Sequence, residues 1–192
     1  MRFVAVSLLL VFAVGMVGCG SRPGISDESL KARGRTKVEL PDWYVNIPQD
    51  SMYHYARGTS IEGTMGDAEN NAEMDGSSAV ASWVMQEVNT TGTIMRKQLG
   101  DDNPLHASWD RVVSMVAAEK ESGIEPSPGH LAVYETDDGK TEVLLLMRVS
   151  REDVFKRLKD AATQESEAYE YLIQQGLLKD FEERIRDYKN DR

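Results

Sequence analysis

The sequence predicts an α+β fold: a small antiparallel sheet packed by one long helix, with additional C-terminal helices. Three observations carry this expectation. Tyr53, Tyr55 and Arg57 alternate with Met52, His54, Ala56 and Gly58, the period of a strand. From Thr64 onward, small and apolar residues recur at helical spacing. Late in the chain, two apolar runs flank Asp137-Asp138-Gly139-Lys140, and Asp-Gly is a favoured hairpin turn because glycine supplies the positive φ.

The chain opens on Met1-Arg2, then an apolar run from Phe3 to Val17 that stops at Gly18-Cys19-Gly20-Ser21. The run is shorter than the roughly 20 residues of a membrane-spanning helix, and its length and basic flank fit a secretory signal over residues 1–18. Met16-Val17-Gly18-Cys19 reads as a bacterial lipobox, with methionine at the position usually held by leucine. Cys19, the single cysteine of the chain, is then the lipidation site, carrying diacylglycerol and palmitate-like acyl chains. Gly20 in place of aspartate directs such a lipoprotein to the outer membrane under the sorting rule of enteric bacteria. The expected address is therefore the outer membrane, lipid-anchored and facing the periplasm.

Loss of Arg2 with the signal takes the net charge from −10 to near −11. A chain this acidic has no long-range attraction to nucleic acid or to anionic headgroups. Membrane affinity then comes from the acyl chains, at about 0.8 kcal/mol per buried CH₂. With Cys19 acylated no disulfide can form, so an ordinary apolar core must stabilise the fold.

Residues 19–40 are polar and without a sustained apolar period, which predicts a lipidated tether. Its Lys31, Arg33, Arg35 and Lys37 read as solvated rather than bound to headgroups. A single domain spans residues 41–150 and opens at Pro41-Asp42-Trp43-Tyr44. Its first strand covers Met52 to Ser60, with Gly58 marking a close backbone approach or the strand's end. Thr64 and Asp67 form a capping-box-like start to the long helix. Met65, Ala68, Ala72, Gly76, Ala79 and Trp83 share one face of it, small enough to lie close to a sheet, and Val80, Val84 and Val88 widen that face. Asn89 to Pro104 reads as a loop, Leu105 to Lys120 as a shorter helix with Trp109, Val112, Val113 and Val116 apolar, and Pro126-Ser127-Pro128-Gly129 as a helix stop.

His130–Thr136 and Thr141–Val149 are the hairpin strands, and Leu144-Leu145-Leu146 predicts a strand covered on both faces. Ser150 and Asp153 cap the next helix. Residues 151–192 form a charged amphipathic helical extension, with Val154, Leu158, Ala161, Ala168 and Leu172 as its first stripe. Gly176 breaks that stripe, and Leu178, Phe181, Ile185 and Tyr188 resume it. These helices pack on their own domain or on a neighbouring subunit, which makes Phe181 and Ile185 candidate partner-binding residues. Trp43 and Tyr44 are the other candidates: exposed they form a recognition patch, packed they staple the N-terminus of the domain.

Pro41-Asp42-Trp43, Tyr53-x-Tyr55-Ala56-x-Gly58, Ala68-x-x-x-Ala72 and Asp138-Gly139 before an apolar strand follow one another in order, behind a lipobox. In this the chain resembles the LPP twenty-kilodalton lipoprotein family, over roughly Pro41 to Val149. That family holds bacterial outer-membrane lipoproteins, including relatives in the flagellar outer-membrane apparatus. The resemblance implies a small α+β domain, one long helix on an antiparallel sheet, and a tendency to oligomerise.

Motifs for chemistry are not found. His54, His106 and His130 are far apart in sequence and lack metal-ligand spacing. Asp101-Asp102-Asn103 lacks the alternation and closing glutamate of a calcium loop. Gly63-Thr64-Met65-Gly66 reads as a helix entry rather than an anion cradle, and Asp137/Asp138 and Glu182/Glu183 as solvated carboxylates. The expectation is a non-enzymatic lipoprotein with no cofactor, metal or small-molecule substrate. Its role is structural or in assembly within the cell envelope, through self-association or contact with envelope proteins, with a flagellar association as the narrower form. The alternative is a monomeric, lipid-anchored periplasmic module that binds a ligand or regulates a partner.

Overall fold

Helix α2 spans 35 residues, Met65–Leu99, and every other element is arranged along it. At 1.5 Å per residue it is about 52 Å long. The computed structural model describes residues 39–100 and 102–187. The expected signal, Cys19 and all but the last two residues of the expected tether lie outside them, as does Tyr188.

The other elements, in chain order, are α1 (Asp42–Val45), β1 (Tyr53–Glu62), α3 (Leu105–Ala118), β2 (Glu125–Glu135), β3 (Thr141–Ser150), α4 (Arg151–Thr163), α5 (Ser166–Gln174) and α6 (Leu177–Arg186). The three strands form one antiparallel sheet in the order β1-β3-β2. With further helices beside it, this is the predicted α+β arrangement.

The N-terminal half of α2 crosses the inner face of the sheet. Thr64 caps it as expected, its hydroxyl accepting the Asp67 N–H at 3.2 Å. Ala68, Ala72 and Gly76 form its buried line, continued by Val80, Val84 and Val88. Met65 and Ala79 lie off that line, exposed, and Trp83 is half-buried. The helix comes so near β1 that a Cβ at Gly58 would sit 2.0 Å from the Ala72 carbonyl oxygen, and one at Gly76 would sit 2.6 Å from Met147 Cγ. Gly58 is thus a point of close approach rather than the strand's end, and β1 continues through Glu62.

The expected loop from Asn89 is helix as far as Leu99, with only Gly100 to Pro104 outside the helices. Thr90, Thr91 and Thr93 each donate a hydroxyl to the carbonyl four residues back, so their polar groups are satisfied within the helix. Gly92 leaves room for the Trp109 indole of α3, whose Nε1 would lie 2.2 Å from a Cβ there. Tertiary packing outweighs the weak helix propensity of this stretch. Helix α3 ends at Ala118, two residues before the expected Lys120.

Strand β2 begins at Glu125, five residues earlier than expected. Pro126 and Pro128 are tolerated because β2 is an edge strand, and the register with β3 shifts between Pro126 and Leu131. The hairpin closes as predicted, with Thr136 N–H donating to the Lys140 carbonyl at 2.8 Å and Gly139 at φ 76°. Central β3 is buried on both faces from Glu142 to Met147.

Ser150 caps α4, its hydroxyl accepting the Asp153 N–H at 3.3 Å. Val154, Leu158, Ala161, Ala168, Leu172, Leu177, Phe181 and Ile185 are buried in the same hydrophobic cluster as Ala72, Val88 and Val149. Arg184 of α6 bridges to Glu87 of α2 at 2.7 Å and donates to Thr91 Oγ1 at 2.6 Å. The guanidinium of Arg151 is buried, with Nε donating to the Tyr53 carbonyl at 3.0 Å and Nη1 to the Ile185 carbonyl. Strand β1, helix α6 and the Trp83 ring, 5.4 Å from this guanidinium, thereby meet at one side chain.

Candidate functional site

The outer face of the sheet, opposite α2, carries the densest group of aromatic side chains in the described residues. Strand alternation places Tyr53, Tyr55 and Arg57 of β1 on that face, because Ala56 and Gly58 face α2. Antiparallel pairing sets Arg148 opposite Tyr55, and its guanidinium lies 4.3 Å from the Tyr53 ring centroid. Arg148 also bridges to Glu125 of β2 at 2.6 Å, linking both edges of the sheet through its central strand.

Residues 39–50 pass across this face. The Tyr134 hydroxyl of β2 reaches the Glu39 carbonyl at 3.5 Å, and Trp43 meets His130 of β2 edge-on at 5.4 Å. On the far side Arg57 of β1 donates to the Tyr44 carbonyl at 2.6 Å and the Val45 carbonyl at 2.7 Å. Beneath the segment, Leu144 and Leu146 of β3 are buried. Trp43 and Tyr44 are themselves half-buried, edge to face at 5.8 Å, so packing on the domain accounts for much of their surface.

Asp50 ends the segment as a local cap. Its carboxylate accepts the N–H groups of Met52 and Tyr53 and, at 3.0 Å, the Tyr55 hydroxyl. Burial alone pushes its pKa up, but these hydrogen bonds and the Arg151 charge outweigh burial and hold it below the ordinary carboxylate value. Burial, with the hydrogen bond and negative charge of Asp50, raises Tyr55 above the ordinary phenol value. The neighbours favour the carboxylate at Asp50 and the neutral phenol at Tyr55, an arrangement suited to structure.

The three histidines are separate in space as well as in sequence. His54 stacks on Trp83 with centroids 3.9 Å apart and planes 4° from parallel, His106 Nε2 meets the Gly100 carbonyl at 2.6 Å, and His130 Nδ1 meets Ser127 Oγ at 2.8 Å. The Ser127–His130 contact closes the irregular part of β2, and Ser127 is buried. No group of three or more His, Cys, Asp or Glu side chains among the described residues is placed to hold a metal ion. Asn103 Oδ1 accepts the Leu105 N–H at 3.0 Å, which makes this residue part of the α3 entry turn.

Phe181 and Ile185 do not join the aromatic group. Both lie on α6 with no exposed surface, inside the core of their own chain. Sequence reasoning named Trp43 and Tyr44 but not Tyr53, His130 or Arg148 as their companions. The alternation of β1 showed which side chains share a face; only the β1–β3 register puts Arg148 among them.

No family model, curated protein or solved structure matches this chain.

Proposed function

We propose that this chain is a non-enzymatic lipoprotein of the outer membrane, anchored through Cys19 and facing the periplasm, with a structural or assembly role in the cell envelope. The observation that carries the reading is an apolar run that stops at Met16-Val17-Gly18-Cys19, in a chain with no other cysteine. Among the described residues no helix is long and apolar enough to cross a membrane. In this reading the lipid on Cys19 supplies the attachment. Carboxylates tied into local caps and ion pairs support a role other than catalysis. The resemblance of residues 41–149 to the LPP twenty-kilodalton lipoprotein family supports self-association, with a flagellar association as the narrower form.

Replacing Cys19 with alanine tests the anchor. Labelled palmitate should enter the unaltered chain and not Cys19→Ala, and the variant should leave the membrane fraction. Unchanged size, labelling and membrane partition would falsify the lipoprotein reading.

The half-buried aromatic group around Trp43 favours a second reading, a monomeric periplasmic binding or regulatory module. Light scattering on the acyl-free protein separates the two. An oligomer supports assembly, and a monomer over the whole accessible concentration range supports the binding module.

A further inference from the structure

We propose that the cleft between α3 and α4 binds a small zwitterion of the amino-acid type with an apolar side chain. The cleft lies within one chain, so the site does not depend on how Cys19 is modified or on whether copies associate.

The first observation is space. A cavity of about 430 Å³ opens between the C-terminal halves of α3 and α4, within the size range of small-molecule sites. Met115, Val116 and Ala161 give it an apolar lining, and Val116 and Ala161 belong to the hydrophobic cluster of the core.

The second is a cation short of a partner. Arg157, in the wall of the cavity, donates through Nη1 to the Glu119 carbonyl at 2.9 Å and the Lys120 carbonyl at 3.4 Å. Its Nε donates to the Asp153 carbonyl at 3.3 Å. All three acceptors are neutral backbone groups. Nη2 is buried and meets no acceptor among the described residues, and a buried donor left unpaired is costly. Nor does a carboxylate of the described residues pair with this guanidinium. Burial pushes the Arg157 pKa below its ordinary value, against the opposing charges of Asp153 and Glu119. A ligand carboxylate seated against the guanidinium supplies the anion that the fold withholds.

The third is opposite charge one turn away. Helical periodicity puts Asp160, Ala161 and Gln164 on the same face of α4 as Arg157, and all four line the cavity. Asp160, and Glu119 at the end of α3, are exposed and form no ion pair among the described residues. They receive the ligand ammonium, while the Gln164 amide is a further donor for the carboxylate.

An amino-acid zwitterion meets all three conditions together. It carries its carboxylate and ammonium side by side, as α4 carries a cation and an anion one turn apart. Its side chain covers the apolar lining. A simple anion meets Asp160 and Glu119 on a chain of net charge −10, and a simple cation leaves Arg157 without an anion. An uncharged apolar molecule leaves both charges without a partner.

Isothermal titration calorimetry on the full chain tests this with leucine, leucyl-leucine, N-acetyl-leucine and leucine amide. Leucine or leucyl-leucine should bind, and the tighter of the two tells a free amino acid from a short peptide. N-acetyl-leucine lacks the ammonium and leucine amide lacks the carboxylate, so each should bind at least tenfold less tightly. Glu119→Gln with Asp160→Asn should weaken the zwitterion at least tenfold and remove its advantage over N-acetyl-leucine. Both side chains are exposed, and an unchanged Tm shows that the fold persists. Arg157→Gln should remove the advantage over leucine amide; if it lowers the Tm, the double variant decides.

No binding of either zwitterion at millimolar concentration overturns the proposal. So does equal binding of leucine and a single-charge analogue by the unaltered chain, or zwitterion binding that the double variant leaves unchanged. None of these outcomes bears on palmitate labelling at Cys19, so the site and the anchor fail separately.

Discussion

At Gly58 the separation of a strand from a helix is set by one missing carbon. A Cβ there would meet the Ala72 carbonyl oxygen at 2.0 Å, backbone against backbone, where no rotamer change gives relief. Gly58→Ala should therefore destabilise the fold by at least about 1–3 kcal/mol, the range of overpacked cores. Gly63→Ala, which would meet nothing within 4 Å, should melt near wild type. A Gly58→Ala midpoint equal to that of Gly63→Ala in calorimetry would contradict the close approach. Asp50 makes a pH-dependent prediction. Its folded pKa is depressed, so its contribution is present above the unfolded carboxylate pKa of about 3.9 and is lost as pH falls through the folded value. The stability gap between wild type and Asp50→Asn should be flat near neutrality and close in acid, as read by urea unfolding across pH. Glycine spacing made Gly58 and Gly76 legible in the sequence. Arg151 was not, because nothing local distinguishes this buried arginine at a helix start from the exposed charges that follow it.

At the level of elements, β3 is the strand on which both layers close. Val143, Leu145, Met147 and Val149 face α2, and Leu144 and Leu146 face the segment containing α1. Leu145→Asp would place a carboxylate at a site 2% exposed, which costs several kcal/mol against a typical total of 5–15. Thermal melting should show an unfolded or strongly destabilised domain, and a midpoint within a few degrees of wild type would show the site to be wet. The hairpin, the Thr64 and Ser150 caps and the C-terminal stripe could be read from the sequence because each rests on a local signal. The second half of α2 could not. Asn89, Thr90, Thr91, Gly92 and Thr93 are poor helix formers, and what holds them helical is Trp109, seventeen residues beyond Gly92 in the chain. The start of β2 was hidden for a related reason, since prolines argue against a strand unless it is known to be an edge.

In the molecule as a whole, the sheet and the C-terminal helices share one apolar cluster. Phe181 and Ile185, named from sequence as either core or interface, have no accessible surface within their own chain. Phe181→Ala should cost about 3–5 kcal/mol through the cavity it leaves. Deleting residues from Gly176 onward should abolish cooperative unfolding in circular dichroism, because Leu177, Phe181 and Ile185 leave the core together. A truncated chain that still melts cooperatively at the wild-type temperature would make α6 dispensable. The candidate site was legible only in part. The proposed lipid anchor is a linear motif, whereas the aromatic face is assembled from four segments whose register no local pattern fixes.

The placement of α6 has a consequence for how the chain comes into being. Synthesis runs from the N-terminus, and domains generally fold as units. Here the helix that helps fill the core, and supplies the carbonyl that receives Arg151, follows every other described element in the chain. Until Ile185 has emerged, α2 lacks part of its covering and the Arg151 guanidinium lacks one of its acceptors. The nascent protein therefore stays loose until α6 has emerged, the condition in which a polypeptide can still be threaded through a narrow channel.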